Sequence, residues 1–277
     1  MSPSIDSLSS PIGLVAGSGT LPFEFIKAAK SRKLKTVVVA HIGETDPAIE
    51  ALADECSWIK LGQLGKLIKR LQSSGVKQVA FAGGISRARI FSGFWPDLRG
   101  VKVIARVGSL RDDLILRGIA QEIESAGITV IAPAALLDRL LPTAGLLTTK
   151  DLNSAEHADA VLGWTLLKAI GPWDVGQAVI VTKGVVSAIE AVEGTDSAVE
   201  RAGLLAGPGG VLIKISKPQQ DLRLDMPTVG TGTIAAMVKA QARGLVLEAG
   251  KTLILDPAAV IQAANLAGIS IRVFDKL

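Results

Sequence analysis

The sequence predicts an α/β chain of two domains, and three observations carry that prediction. Short β-rich apolar runs alternate with helical patterns through the first half. Two of those runs end in glycine turns, Gly17-Ser18-Gly19 and Gly83-Gly84. Beyond residue 141 the texture shifts to hairpin signals and short strands. A chain of 277 residues is long enough for two ordinary domains, each with its own core.

In order, residues 12–16 read as a buried strand, 21–29 as a helix, 36–40 as a second strand, 64–71 as a helix and 78–82 as a third strand. Residues 112–126 carry a 3.6-residue stripe through Leu114, Ile115, Ile119 and Ile123, with Gly127 placed as its C-cap. Residues 129–132 follow as a strand stopped by Pro133. This alternation predicts a Rossmann-like parallel sheet over 12–141 with helices on both faces, preceded by a disordered Ser-rich lead-in at 1–11. Residues 142–150 read as a linker, and 151–277 as a distinct C-terminal α+β domain. That domain opens with a helix over 153–169, capped by Asn153 or Ser154 and closed by Gly171-Pro172. Strands 177–182 and 184–192 flank a Lys183-Gly184 turn; a helix to 201, a strand at 209–215 and a helix over 231–243 come next. Short strands at 245–247 and 252–255, a helix 257–267 behind Asp256, and a strand 269–274 complete the chain.

Composition narrows the function classes. No apolar run reaches the roughly 18 residues of a membrane-spanning helix. The lead-in lacks Lys and Arg, so it reads as neither a secretory signal nor a transit peptide. A single cysteine, Cys56, excludes an intramolecular disulfide and a cysteine zinc site; His41 and His157 lie far apart, against a histidine metal site. These features point to the cytoplasm. A net charge of +4 favours anionic ligands without arguing for nucleic acid, and the 4% of aromatics, with no Tyr, leaves few stacking platforms.

Ligands of parallel sheets bind beyond the carboxyl ends of the strands, where glycine admits a close approach and a helix N-terminus favours negative charge. Gly17, Ser18, Gly19, Leu21 and Pro22 form one such edge, Gly83 and Gly84 the other. Tight turns without a ligand are the alternative reading. Pro22 at the third glycine position of the dinucleotide fingerprint, and His41 where an acidic residue would hold a ribose, argue against NAD. The second candidate is residues 214–230. Read as extended chain, its Asp221, Arg223 and Asp225 share one face and Leu222, Leu224 and Met226 the other. Carboxylate, guanidinium and carboxylate together suit a divalent cation and a phosphate, or a structural salt-bridge ladder.

In their order, Gln177, Glu190-Ala-Val-Glu193-Gly194-Thr195-Asp196, Lys214, Lys217-Pro, Gln220-Asp221-Leu-Arg223-Leu-Asp225-Met-Pro227-Thr228 and Glu248-Ala-Gly250-Lys-Thr resemble the LpxI-type UDP-2,3-diacylglucosamine pyrophosphatases. The first half is similar through Gly17-Ser-Gly19-Thr-Leu-Pro22, Gly83-Gly84 and Asp112-Asp113. The resemblance implies Mg²⁺-dependent (or Mn²⁺-dependent) hydrolysis of UDP-2,3-diacylglucosamine to UMP and 2,3-diacylglucosamine 1-phosphate, lipid X, in lipid A biosynthesis of Gram-negative bacteria. It implies work at the cytoplasmic side of the inner membrane, and it aligns Asp225 with the family's essential acidic residue. The chemistry suits a metal on Asp225 and Asp221, with Arg223, Lys214 and Lys217 balancing phosphate charge. Gln177, Glu190 and Thr228 join the expected substrate contacts. Glu190 and Glu193 face opposite sides of a regular strand, so one at most reaches the site. Gly194-Thr195 either donates to phosphate or caps a helix, and Asp112-Asp113 reads first as favourable charge at a helix N-terminus. Trp164, Leu166, Leu167 and Ile170 line an acyl groove or fill a core. Phe91, Phe94 and Trp95 beside Arg87, Arg89 and Arg99 suit a membrane interface, or a loop packed on its own domain. A homodimer is compatible. The rival functions are a non-catalytic sugar-nucleotide or lipid-binding protein and a pyrophosphatase for another UDP-sugar.

Overall fold

The computed structural model describes residues 8–85, 95–107 and 112–277. The chain forms two compact units. One holds the chain up to Asp138 together with Asp221–Asp225; the other holds Arg139–Gln220 and Met226–Leu277.

The first unit is built on five parallel strands, β1 (Ile12–Ala16), β2 (Thr36–His41), β3 (Glu55–Ile59), β4 (Gln78–Ala82) and β5 (Thr129–Ile131), in the order β3-β2-β1-β4-β5. Among the described residues its α-helices are α1 (Leu21–Ser31), α2 (Leu64–Ser73), α3 (Leu98–Val107) and α4 (Asp112–Ser125). Strands β1 and β2 are buried along their whole length, as parallel strands covered on both faces must be. Side chains alternate between the two layers. Val15, Val37, Val39 and Val79 join a core with Leu67, Leu71 and Ile123 from α2 and α4. The intervening Leu14, Val38 and Ala80 are buried on the opposite face, where α1 packs against β1, β2 and β4. Strand order reverses between β1 and β4, which places the glycine turns of both strands at the reversal.

The second unit contains a mixed sheet of β6 (Gly145–Leu146), β7 (Ala178–Thr182), β8 (Val185–Ile189), β9 (Val211–Lys214), β11 (Gly244–Glu248) and β13 (Ser270–Phe274), in the order β6-β13-β11-β9-β7-β8. Strands β9, β11 and β13 run parallel, and β6, β7 and β8 pair antiparallel. A two-stranded ladder joins β10 (Thr228–Val229) to β12 (Leu253–Ile254). The helices are α5 (Ser154–Ile170), α6 (Thr195–Ala206), α7 (Thr231–Lys239) and α8 (Pro257–Ala267). Alternation again defines three layers. Val179, Val181, Val211 and Ile213 pack with Trp164 and Leu167 of α5; Ala178, Ile180, Leu212 and Leu245 pack with α6, α7 and α8.

Local signals explain several boundaries. Asn153 caps α5 through a capping box with Glu156. The β7–β8 turn places Lys183 and Gly184 at φ 52° and 80°, and the buried Asp159 carboxylate accepts both of their N–H groups at 2.9 and 2.7 Å. Asp256 accepts from Ala259 N to open α8. The stretch expected as a linker contributes β6, which pairs with β13.

Candidate functional site

Residues 221–225 are not extended. Asp221 O accepts from Leu224 N at 2.9 Å and from Asp225 N at 3.2 Å, so the chain closes into a turn. The cause is local: Asp221 Oδ1 also accepts from the backbone N of Arg223, two residues on, and this favours the turn over a strand. The expected one-sided carboxylate–guanidinium–carboxylate face is therefore replaced by a compact clamp. Arg223 Nη2 donates to Asp221 Oδ2 at 2.7 Å, Nε to Oδ1 at 3.0 Å, and Nη1 to Glu124 of α4 at 2.9 Å. Hydrogen bonding from Arg223 holds the Asp221 carboxyl below the usual carboxylate range. Leu224 is buried in the core of the first unit, which anchors the turn from the other side. A side chain of this kind contributes about 1.5–3 kcal/mol when fully buried. Asp225 follows directly and is half-buried.

The glycine turns of the first unit contact each other. Ser18 N donates to Gly84 O at 2.7 Å, Gly84 N to Ser18 O at 3.2 Å, and Ser18 Oγ to Gly84 O at 2.9 Å. A Cβ on Gly17 would sit 2.3 Å from Gly84 O, and one on Gly83 would sit 2.4 Å from Ser18 O. Gly17 and Gly83 thus let two backbones lace together at the sheet reversal. Gly19, at φ 85°, opens onto free space before α1, whose first turn contains Leu21 and Pro22. At the end of β2, His41 is buried with Nδ1 2.9 Å from Ala16 O; burial pushes its imidazole below the usual value.

In the second unit, the remaining expected residues join one hydrogen-bond chain. Lys214 closes β9 and is buried; its Nζ donates to Thr195 Oγ1 at 2.9 Å and to Thr228 O at 2.7 Å. Thr195 Oγ1 donates to Glu190 Oε1 at 2.8 Å, and Glu190 Oε2 accepts from Gln177 N at 3.2 Å. Gln220 bridges Gln177 Oε1 and the backbone N of Lys217, and the Lys217 ammonium pairs with Asp174. Gly194, at φ 81°, places Thr195 as the first residue of α6. Glu193 lies apart, paired with Arg201 at 2.5 Å.

Sequence reasoning missed the neighbouring cluster. Glu248, at the end of β11, is 3% exposed, and its carboxylate accepts from Ser216 N, Ser216 Oγ, Lys168 Nζ and Lys251 Nζ. The signal was present in the Glu248-Ala-Gly250-Lys-Thr word, to which no role was attached. Lys168, Lys214, Lys217 and Lys251 thus interleave with Asp174, Glu190 and Glu248 in this region.

Trp164 and Leu167 are core residues, and Leu166 and Ile170 pack against that core. Arg87, Arg89, Phe91 and Phe94, and the Asp112 and Asp113 side chains, lie outside the described residues. Among the described residues no three His, Cys, Asp or Glu side chains gather as a metal-binding group, and no helix is long and apolar enough to cross a membrane. As a donor for an oxygen-seeking ion, Asp221 has both oxygens engaged by Arg223. Such an ion commonly takes one or two carboxylates with substrate oxygens and water, and Asp225 is the other carboxylate of this turn.

This fold and these sites define a two-unit α/β protein whose first unit is Rossmann-like and whose second unit carries a network of lysines and buried carboxylates. The model of the LpxI N-terminal domain matches residues 11–140 and that of the LpxI C-terminal domain matches residues 143–272. The chain belongs to the LpxI family. The UDP-2,3-diacylglucosamine pyrophosphatase LpxI of Caulobacter vibrioides is 34% identical over 274 residues, covering 93% of this chain and 95% of that protein. Among solved structures, the biotin carboxylase subunit of pyruvate carboxylase aligns with a TM-score of 0.27 at 17% identity, over 66% of this chain and 36% of its own. The ADP complex of N5-carboxyaminoimidazole ribonucleotide synthetase aligns with a TM-score of 0.29 at 16% identity, over 74% of this chain and 47% of its own. This chain spans less than half of either, and neither likeness bears on its activity.

Proposed function

We propose that the protein hydrolyses the diphosphate of UDP-2,3-diacylglucosamine, releasing UMP and 2,3-diacylglucosamine 1-phosphate, on the cytoplasmic side of a membrane that holds the substrate. The observation that carries this reading is the 34% identity to a UDP-2,3-diacylglucosamine pyrophosphatase along 93% of the chain. The residues suit the chemistry. Asp225 supplies the carboxylate of the reacting centre, and Mg²⁺, held by Asp225 and substrate oxygens, would neutralise diphosphate charge. Asp221 and Arg223 act as positioning residues, because their ion pair fixes the turn that presents Asp225. Arg223 already faces two carboxylates, Asp221 and Glu124, so it is a clamp before it is a phosphate ligand. Lys214 and Lys217 suit phosphoryl oxygens: Thr195, backed by Glu190 and Gln177, and the Thr228 carbonyl hold the Lys214 ammonium, and Asp174 holds that of Lys217. Gly17, Ser18, Gly19 and the start of α1 supply the edge at which a nucleotide diphosphate is expected to lie.

The test is UMP release from UDP-2,3-diacylglucosamine by wild type and Asp225→Ala, each with Mg²⁺ or with EDTA. Release by wild type that requires the metal and is lost in Asp225→Ala supports the whole reading. Release that survives EDTA removes the metal, and release that survives Asp225→Ala removes the residue. Binding without release by folded wild type makes the protein a lipid- or sugar-nucleotide-binding member of the family.

A further inference from the structure

Helix α3 presents two adjacent stripes to solvent, and its rotation is fixed by close packing. A Cβ on Gly100 would lie 2.5 Å from Gly62 O, and one on Gly118 of α4 would lie 2.8 Å from Val103 Cγ1. Gly100, Val103 and Val107 therefore face inward. Asp97 sets where the helix starts: its carboxylate accepts from Arg99 N and Gly100 N, and also from Gly65 N at the start of α2. With this rotation, Leu98, Val101 and Ala105, at i, i+3 and i+7, form an exposed apolar stripe. Leu98 is 90% exposed and Val101 50%. Arg99, Lys102 and Arg106 form the neighbouring stripe at the same spacing. Among the described residues they share one buried carboxylate, Glu122, at 3.9, 3.8 and 3.2 Å, so three cations converge on one anion there. Trp95, just before the helix, is 63% exposed, and the Lys60 ammonium sits 4.9 Å from its ring centroid.

We propose that α3 is the surface by which the protein docks on an anionic lipid bilayer; the inference rests on the proposed function, whose substrate is an amphiphile. A helix lying in the interface needs an apolar stripe to enter the headgroup boundary, cations alongside it, and an aromatic ring at that depth. All three are present within residues 95–106. The exposed stripe of Arg99, Lys102 and Arg106 selects a negatively charged surface. These residues oppose a second copy of the chain as occupant, because a two-fold contact through this face would set its cations against their own images.

The experiment is flotation of the full chain with vesicles of phosphatidylcholine, with and without phosphatidylglycerol. A double variant, Leu98→Glu with Val101→Glu, tests the apolar stripe. A second, Lys102→Ala with Arg106→Ala, tests the cations without adding charge to the apolar stripe. Leu204→Glu with Leu205→Glu, on an exposed apolar site of α6, is the control. The expected result is wild-type flotation that requires phosphatidylglycerol and is reversed by salt, at least about tenfold weaker partition in both α3 variants, and an unchanged control. Absence of wild-type flotation, α3 variants that partition as wild type does, or an equal loss in the control would each overturn the proposal. UMP release from detergent-dispersed substrate is measured in parallel. Loss of flotation with hydrolysis retained assigns the helix to docking. Flotation with no hydrolysis by any form sinks the proposed activity and leaves the docking helix standing.

Discussion

Replacing Glu248 by Gln tests whether the second unit depends on the polar cluster at the end of its sheet. The side chain is 4% exposed. Oε2 accepts from Ser216 N at 3.0 Å, Ser216 Oγ at 2.7 Å and Lys168 Nζ at 3.0 Å; Oε1 accepts from Lys168 Nζ at 3.0 Å and Lys251 Nζ at 2.8 Å. A glutamine keeps the shape and loses an acceptor. With its NH₂ toward Ser216 it meets a backbone donor, and with its NH₂ toward the lysines it meets two ammonium groups. Both orientations leave buried donors facing donors. Breaking a buried ion pair from one side costs about 3–5 kcal/mol. Lys251→Met, by contrast, removes one half-exposed ammonium and leaves Lys168 and Ser216 in place, and is expected to cost at most about 1 kcal/mol.

The assay is urea unfolding followed by tryptophan fluorescence. Trp164 is buried in the second unit, with the Lys168 ammonium 5.5 Å from its ring centroid, so it reports from beside the cluster. A loss below about 1 kcal/mol in Glu248→Gln, or a loss no larger than that of Lys251→Met, would refute the reasoning. Acid provides a second check. Burial pushes the Glu248 carboxyl up, but hydrogen bonds from Lys251, Ser216 and Lys168 outweigh it and leave the group below its ordinary value. The native state therefore holds this proton less tightly than the unfolded chain. Its stabilisation is present above the ordinary glutamate value of about 4.3 and is lost as pH falls through the depressed value.

Two further predictions concern the first unit. Gly17→Ala places a methyl 2.3 Å from a backbone oxygen and should destabilise by about 1–3 kcal/mol, whereas Gly84→Ala, whose Cβ among the described residues meets only Ser18 Oγ at 3.5 Å, should stay within about 0.5 kcal/mol. Equal urea midpoints for the two variants would show that the turns are not laced as described. Burial lowers the pKa of His41, so its stabilisation is present above the usual imidazole value of about 6.5 and is lost as pH falls toward the depressed one. The wild-type melting temperature should therefore fall more steeply than that of His41→Asn between about pH 7 and 5, and parallel slopes would remove His41 from the acid response.

Strands β1, β2 and β4 were legible in the sequence because a strand buried on both faces must be apolar throughout, as in Thr-Val-Val-Val-Ala. Strand β3 was not, because it lies at the sheet edge, where Glu55, Cys56 and Ser57 need only be half-buried. Helix α3 was hidden for another reason. Gly100 lowers its helix propensity, and the compensation comes from Gly62 and Gly118, which are distant in sequence. In the second unit, the Lys183-Gly184 turn signalled the hairpin, and the caps at Asn153 and Asp256 signalled two of the helices.

The site shows the same division more sharply. Its residue types were readable, but the segment 221–225 was misread as extended. Its charge alternation has the period of a strand, yet Asp221 accepts the N–H of Arg223 and turns the chain. No local pattern reports that these five residues pack with the first unit while Gln220 and Met226, on either side, belong to the second. That assignment comes from Leu224 in the first core and from the Arg223–Glu124 pair. The proposed reacting carboxylate, Asp225, is therefore held by contacts formed about a hundred residues earlier in the chain, whereas the lysine network around Lys214 is held by the second sheet. The two sets of residues read as one motif along the sequence only because residues 214–230 cross from one unit to the other and back.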